Sequence, residues 1–425
     1  MEARKGLTAS ELLLTLGFLA FFIPANYALP AIVFKLWEWY YMGVALVAVA
    51  VLFFTHFKDI NIRYILFVLY FTWVIFGTQQ FALTHTMVWQ ALLKPYLKCI
   101  GFISLLEVGF LSCPKKTVVK SFLNVGLLMS FLHFVTFLIY GRMEGGMRHG
   151  ESYMIGNIHV HNTDQNWYFM TYDNASIFIF LPILALLLYY VWYDNRKAKK
   201  SFYCYLIILL VMFVTKMAAT ALVGTLMFTV VILYYIAKMK RNRKKHKWEI
   251  TSALNYVTAC LAGLAFDLGI VLIVGNPLVE GIANRFGKDA SFSGRDYIWA
   301  ESLKIIKQHW LTGIGMEDTL TTTLRIGQTH CHNILIENLY VSGAISLVMF
   351  LLLVWLFRPQ AKKSFAAIIF SAAILTYFVI SGLDWAQTNP LSMSLFYFSY
   401  YLSDEKEDAW VFLTRRLGLL DYINH

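Results

Sequence analysis

The chain of 425 residues is 59% hydrophobic and 14% charged, with 36 Lys and Arg against 25 Asp and Glu and a net charge of +11. Soluble domains are about a quarter charged, so this composition excludes a soluble enzyme and a disordered chain. The five scattered cysteines (Cys99, Cys113, Cys204, Cys260 and Cys331) form no CxxC pair from which a zinc site or disulfide framework would be built, which leaves an all-α, polytopic membrane protein.

Apolar runs of the length a bilayer requires predict about twelve transmembrane helices, near 10–27, 38–56, 64–78, 88–111, 121–140, 175–193, 201–215, 219–237, 252–275, 333–357, 364–382 and 386–402. The first begins soon after Gly6 with no A-x-A pattern behind it and reads as a retained span rather than a cleaved leader. The fourth contains Lys94, Pro95 and Lys98, which predicts a broken or partly interfacial helix. Only a short break around Lys216 parts the seventh from the eighth, and the twelfth opens on Gln387, Asn389 and Pro390. The layout divides the chain into 1–275, with nine spans and a loop at 141–174; 276–332, a long loop; and 333–425, with three spans and a tail. No internal repeat is visible.

Charge orients this layout. With a cytoplasmic N-terminus, every inside segment holds basic residues, among them Arg4 and Lys5, Lys115 to Lys120, Arg196 to Lys200, Lys238 to Lys247, and Lys406 to Arg416. That is the positive-inside pattern, with both termini cytoplasmic. The net positive charge is therefore a topology signal and a contact for anionic headgroups, not a nucleic-acid surface. The two long loops, 141–174 and 276–332, then lie on the outer side.

Within 276–332 a helix is legible. Ser293 is the expected N-cap. From Arg295, the residues Trp299, Leu303, Ile306 and Trp310 follow at intervals of four, four, three and four, which is one helical face. The plain reading is an amphipathic helix lying on the membrane surface, anchored by two Trp. Arg295 stands in line with that face, and a buried guanidinium there needs an anionic partner; its planar fork suits phosphate. Gly313 and Gly315 stop the helix. The cluster Thr329-His330-Cys331-His332-Asn333 precedes the tenth span, with Glu337 about a turn further on. Asn333 reads equally as a helix cap, and each His as a structural one. His330 and His332 have the spacing of a metal pair, but no carboxylate cluster lies nearby in sequence, so no metal is expected. A second run, His159-Val160-His161-Asn162-Thr163-Asp164, reads as a polar surface loop. Lys216, between two very apolar spans, either snorkels to the interface or points into a cavity.

Three pieces together resemble the O-antigen polymerase and ligase family (Wzy-type): Gly294-Arg295-Asp296-Tyr297-Ile298-Trp299, then Thr312-Gly313-Ile314-Gly315, then His332-Asn333 leading into an apolar span with Gly343. The resemblance implies a lipid-linked glycosyltransferase of the bacterial plasma membrane, with 276–332 as its extracytoplasmic catalytic loop. It would move sugar chains from undecaprenyl diphosphate to an acceptor hydroxyl, with a flippase and a chain-length regulator as partners. It implies functional roles for Arg295 and His332. Where the family often has an arginine at the outer end of a middle span, this chain has Lys216, a point charge without the fork.

The residues fit that chemistry. Diphosphate is a good leaving group that needs charge neutralisation, from Arg295 with help from Lys216. The attacking hydroxyl needs a base, and His332 suits. Trp299, Asn333 and Glu337 are the further substrate-binding candidates, and neither metal nor cofactor is called for. The expected activity is a repeat-unit polymerase for capsular or secreted polysaccharide. A ligase attaching finished glycan is the alternative in the same class. A lipid-linked sugar flippase would line the membrane midplane with its charges, and a scaffold or sensor would not gather Arg and His at one mouth. The charge pattern makes a direct prediction: in a cysteine-free background, a membrane-impermeant thiol reagent labels a cysteine placed at Ser291 in intact cells and misses one at Asn242. The reverse pattern overturns the orientation.

Overall fold

The computed structural model describes residues 8–403 except 86, 144–145, 148–151, 156–157, 162–165, 194–197, 217, 245–254, 274–293, 360–363 and 385–388. In chain order the helices are α1 (Ala9–Phe21), α2 (Ala31–His56), α3 (Ile62–Ile75), α4 (Trp89–Ser112), α5 (Lys115–Tyr140), α6 (Ile177–Tyr193), α7 (Lys199–Thr215), α8 (Ala219–Lys244), α9 (Tyr256–Ile273), α10 (Arg295–His309), α11 (Thr319–Ile326), α12 (Ile334–Leu356), α13 (Phe365–Ser381) and α14 (Pro390–Leu402). A helix stands at each of the twelve places where an apolar run predicts one, and α10 and α11 fall in the late loop. Among the described residues, the helices of α2, α3, α5, α6, α8, α9 and α12 are long and apolar enough to cross a membrane, while α1 and α13 are apolar but shorter.

Two expectations are corrected. The fourth helix is not broken: α4 runs unbroken through Pro95. Pro95 sits only two turns from the helix start, so its missing N–H costs one bond, and close packing holds the rest. A Cβ on Gly101 would collide with Ala45 of α2, and Lys94 is paired with Glu38 of the same helix at 2.8 Å. The fold is all-helical in class, as expected, but the loop 141–174, whose run from His159 reads as a polar surface loop, holds regular structure. It contains the antiparallel pair β1 (Ser152–Ile155) and β2 (Ile158–His161), with Ser152 opposite His161. Of the polar run that begins at His159, residues 162–164 lie outside the described residues.

α13 is the centre of the bundle, with every residue from Phe365 to Ser381 buried. A helix apolar all round belongs inside, and its Ala and Ser residues let neighbours come close. α9 approaches nearest: Gly263 leaves no room for a Cβ beside Phe378.

α12 is broken at Gly343, whose φ of 69° and ψ of −173° lie in a region open essentially to glycine alone. A break frees backbone groups that must find partners inside a membrane bundle. Here the segment following α10 supplies them. Trp310 O and Leu311 O accept from Ala344 N and Ile345 N at 2.8 and 3.3 Å, and Ile314 N and Gly315 N donate to Tyr340 O and Val341 O at 3.0 and 2.9 Å. Trp73 Nε1 donates to Ser342 O at 3.0 Å, and Ser346 Oγ to Gly343 O at 2.9 Å. A Cβ on Gly313 would collide with the backbone of Val341 and Ser342, and one on Gly343 with that of Leu311 and Thr312. Gly343→Ala should therefore lower thermal stability in detergent by at least about 2 kcal/mol, from the backbone penalty and the collision together. A melting temperature equal to the parent's would show that the break can close.

Candidate active site

The docked segment fixes α10 over the end of the bundle where α9, α12 and α13 meet. α10 starts at Gly294, a glycine N-cap with φ of 81°. This corrects the expected Ser293 cap, and Ser293 lies outside the described residues. Its buried face is Ile298, Trp299, Ser302 and Ile306. The expected stripe is corrected too: Leu303 and Trp310 are exposed. The helix packs on α12 rather than lying free on a surface, so of the two Trp only Trp299 is an internal anchor.

Trp299 and Glu337 grip the backbone of one residue, Cys331, from its two sides. The Trp299 indole N–H donates to Cys331 O at 2.7 Å, and Cys331 N donates to Glu337 Oε2 at 2.7 Å. His330 and His332 flank this clamped residue. Asn333 is the cap of α12, its Oδ1 accepting from Leu335 N and Ile336 N at 3.0 and 3.1 Å. Its Nδ2 donates to Asp267 O in α9 at 3.2 Å and to Gly382 O beyond α13 at 3.4 Å. One side chain thus ties the start of α12 to the body of α9 and to the end of α13. The polar atoms of Trp299, Asn333 and Glu337 named here are engaged within the protein, which makes these residues the frame of the site.

His332 is the one non-glycine residue with positive φ (52°) among the described residues. A left-handed residue is uncommon, and such strain collects at functional sites. On a helix, His330 and His332 would point apart, but 330–332 is not helical, and the turn at His332 brings the two rings to a centroid distance of 4.0 Å. Both face Asp384. His332 Nδ1 is 3.4 Å and His330 Nε2 3.6 Å from Asp384 Oδ1. A carboxylate does join the His pair, contrary to the reading of the sequence. It was invisible there because Asp384 lies about fifty residues downstream of the pair and reaches it only when α13 packs against α9 and Asn333 bonds to Gly382 at its end.

Tyr172 also donates to Asp384, its OH lying 3.1 Å from Oδ2. The half-buried Arg295 lies within electrostatic reach of Asp384, Tyr172 and His332. Burial pushes the Asp384 carboxyl up, but the two His side chains outweigh that and hold it well below the usual carboxylate range. Burial, then the neighbouring His330, takes His332 down to about 4, against which Asp384 acts and with which Arg295 agrees. Burial also lowers Arg295, with Asp384 and Tyr172 opposing, and lifts Tyr172 well above the usual phenol value. The state near neutral pH is an ionised Asp384, a neutral His332 and a cationic Arg295.

Lys216 does not extend into lipid. It caps α7, and its Nζ donates to Asn166 Oδ1 at 3.3 Å. Asn166 Nδ2 donates to Asp173 Oδ2 at 3.1 Å. Lys216 thus ties down the segment that carries Tyr172 to Asp384, and is joined to the site through that segment.

Residues 168–351 match the family model described as O-antigen ligase. This segment, a little under half of the chain, is similar to the O-antigen ligase family. The matched segment opens at Tyr168, four residues before Tyr172, and contains Lys216, Arg295, His330, His332 and Gly343. Asp384 lies beyond its end. No curated protein and no solved structure matches the chain significantly.

Proposed function

We propose that the chain is a polymerase that joins oligosaccharide repeat units carried on undecaprenyl diphosphate, at the outer face of a bacterial plasma membrane, for capsular or secreted polysaccharide. The observation that carries this reading is His332 paired with an ionised Asp384 beside Arg295, at one end of an apolar bundle. Asp384 stands 3.4 Å from His332 Nδ1; in the reacting complex it would draw the ring proton to Nδ1, which leaves the Nε2 lone pair to take the proton of the acceptor hydroxyl. Asp384 then stabilises the imidazolium as it forms. Arg295 binds the diphosphate and neutralises the charge that develops as the glycosidic C–O bond breaks. Attack opposite the diphosphate inverts the anomeric centre. The proton goes to His332, and the leaving diphosphate departs ionised, so transfer requires no metal. Lys216 and Tyr172 hold the flank of the site. A flippase that supplies the donor and a chain-length regulator are the expected partners.

The second reading is a ligase that moves finished glycan to another acceptor, and the description of the matching family favours it. Deletion in the host separates the two. Loss of long surface chains with single repeats remaining supports the polymerase; long chains left unattached support the ligase.

Transfer of a purified lipid-linked repeat unit in detergent tests the residues. Arg295→Ala should abolish chain growth in a protein that still reaches the membrane, and Arg295→Lys should recover only part, because the fork is lost. Full activity in Arg295→Ala removes Arg295 from the mechanism.

The pH profile tests the base. His332→Ala should slow transfer by roughly 10²–10⁴-fold with donor binding largely intact. A base must be unprotonated to work. Since His332 is held down to about 4, kcat/KM should stay flat well below the ordinary His value of about 6.5 and fall only as pH approaches 4. Bound diphosphate adds negative charge beside the ring and favours the imidazolium, so the acid limb of kcat should lie at higher pH than that of kcat/KM. Chelators should not lower the rate. Coincident limbs, or near-parental turnover in His332→Ala, contradict the role.

A further inference from the structure

Three groups from two distant parts of the chain converge here: one ring nitrogen each of His330 and His332 and a carboxylate oxygen of Asp384 all lie within 4.8 Å of one another. The two distances to Asp384 Oδ1, 3.4 and 3.6 Å, match the edge of a zinc tetrahedron. With metal–ligand bonds of about 2.0–2.1 Å, neighbouring donors stand roughly 3.3–3.4 Å apart. The remaining ring nitrogen of His330 is already oriented, with Nδ1 2.8 Å from Thr329 Oγ1, the outer contact that fixes a ligating imidazole. The loop is held as well, with Cys331 clamped from both sides by Trp299 and Glu337. Two imidazoles and a carboxylate with a fourth position free for water are a donor set that suits zinc.

We propose that His330, His332 and Asp384 form an inhibitory site for a zinc-class divalent cation. Inhibition rests on the base role given to His332 above; binding does not. A metal on Nδ1 of His332 displaces the proton from that nitrogen and leaves the ring in its Nε2–H form. The lone pair that would accept the hydroxyl proton is then absent, and Asp384 is drawn to the metal instead of the ring. Zinc should therefore stop transfer without displacing Arg295, and a chelator should restore it.

The test uses the full chain in detergent, purified without a polyhistidine tag. Cobalt(II) replaces zinc as a visible probe, since its tetrahedral complexes absorb far more strongly than its octahedral ones. One equivalent should give tetrahedral bands that zinc abolishes, and His330→Ala, His330→Gln and Asp384→Asn should each weaken binding at least roughly tenfold. In the transfer assay, zinc should inhibit the parent reversibly. His330→Gln, compared with its own zinc-free rate, should need at least roughly tenfold more zinc. Absence of the bands, or bands unchanged in folded variants with parental melting temperatures, overturns the site. Bands with no inhibition of a transferring enzyme overturn the regulatory half. The spectrum decides the site even if no glycan transfer is detected, so failure of the binding proposal and failure of the proposed enzymatic reaction remain distinguishable.

Discussion

The break of α12 at Gly343 is the constraint on which the rest of this end of the molecule depends. An unbroken helix would keep its carbonyls and amides to itself and offer α10 nothing but side chains. Opened at one glycine, it presents a short stretch of backbone with which residues 310–315 pair, and Gly313 lets the two chains come close enough to do so. A surface helix becomes a fixed wall. From that wall Trp299 reaches Cys331, and through Cys331 it governs where both His rings stand. The geometry of the candidate site is therefore set in part by main-chain hydrogen bonds that involve neither His and lie at least eight residues from both in sequence.

The electrostatics of the site balance three neighbours. Asp384 is stabilised as an anion by donors and by a nearby cation, and in return it restrains two groups that burial would otherwise discharge more completely. A buried carboxylate without such neighbours would take up a proton. The same carboxylate partly neutralises Arg295, so an incoming diphosphate competes for a guanidinium that already has a counter-charge.

Legibility in the sequence tracked the range of the interactions. Each predicted apolar run holds a helix, because helix formation and burial are written in local composition. Arg295, Trp299, Gly313, His332, Asn333 and Gly343 were visible as a pattern, though Trp299 and Asn333 turned out to frame the site through bonds that no spacing reveals. The approach of the two His rings was not legible, because it depends on a backbone that turns left-handed at His332. Asp384 and Tyr172 carried no local signal. Asp384 follows a wholly apolar helix with no motif around it, and Tyr172 sits in a loop of aromatic and small polar residues. Only the packing of α13 against α9, and the cap on Asn333 that joins their ends, brings them to the His pair. The buried stripe of α10 shifted by about one position because its partner is another helix and a loop, not a flat lipid surface.

The central position of α13 bears on how the protein is made. A chain emerging in order builds nearly all of the bundle before its centre exists: α6, α8 and α9 are present while the helix that fills the space between them has yet to be synthesised. Those surfaces must wait in lipid, or loosely against one another, until Phe365–Ser381 arrives. Asp384 comes immediately after. The strongest anion of the site is thus added when packing is nearly complete, and a nascent chain stalled before that point holds Arg295 and both His without the group that organises them. Biosynthesis itself keeps the assembly unarmed until its core has closed.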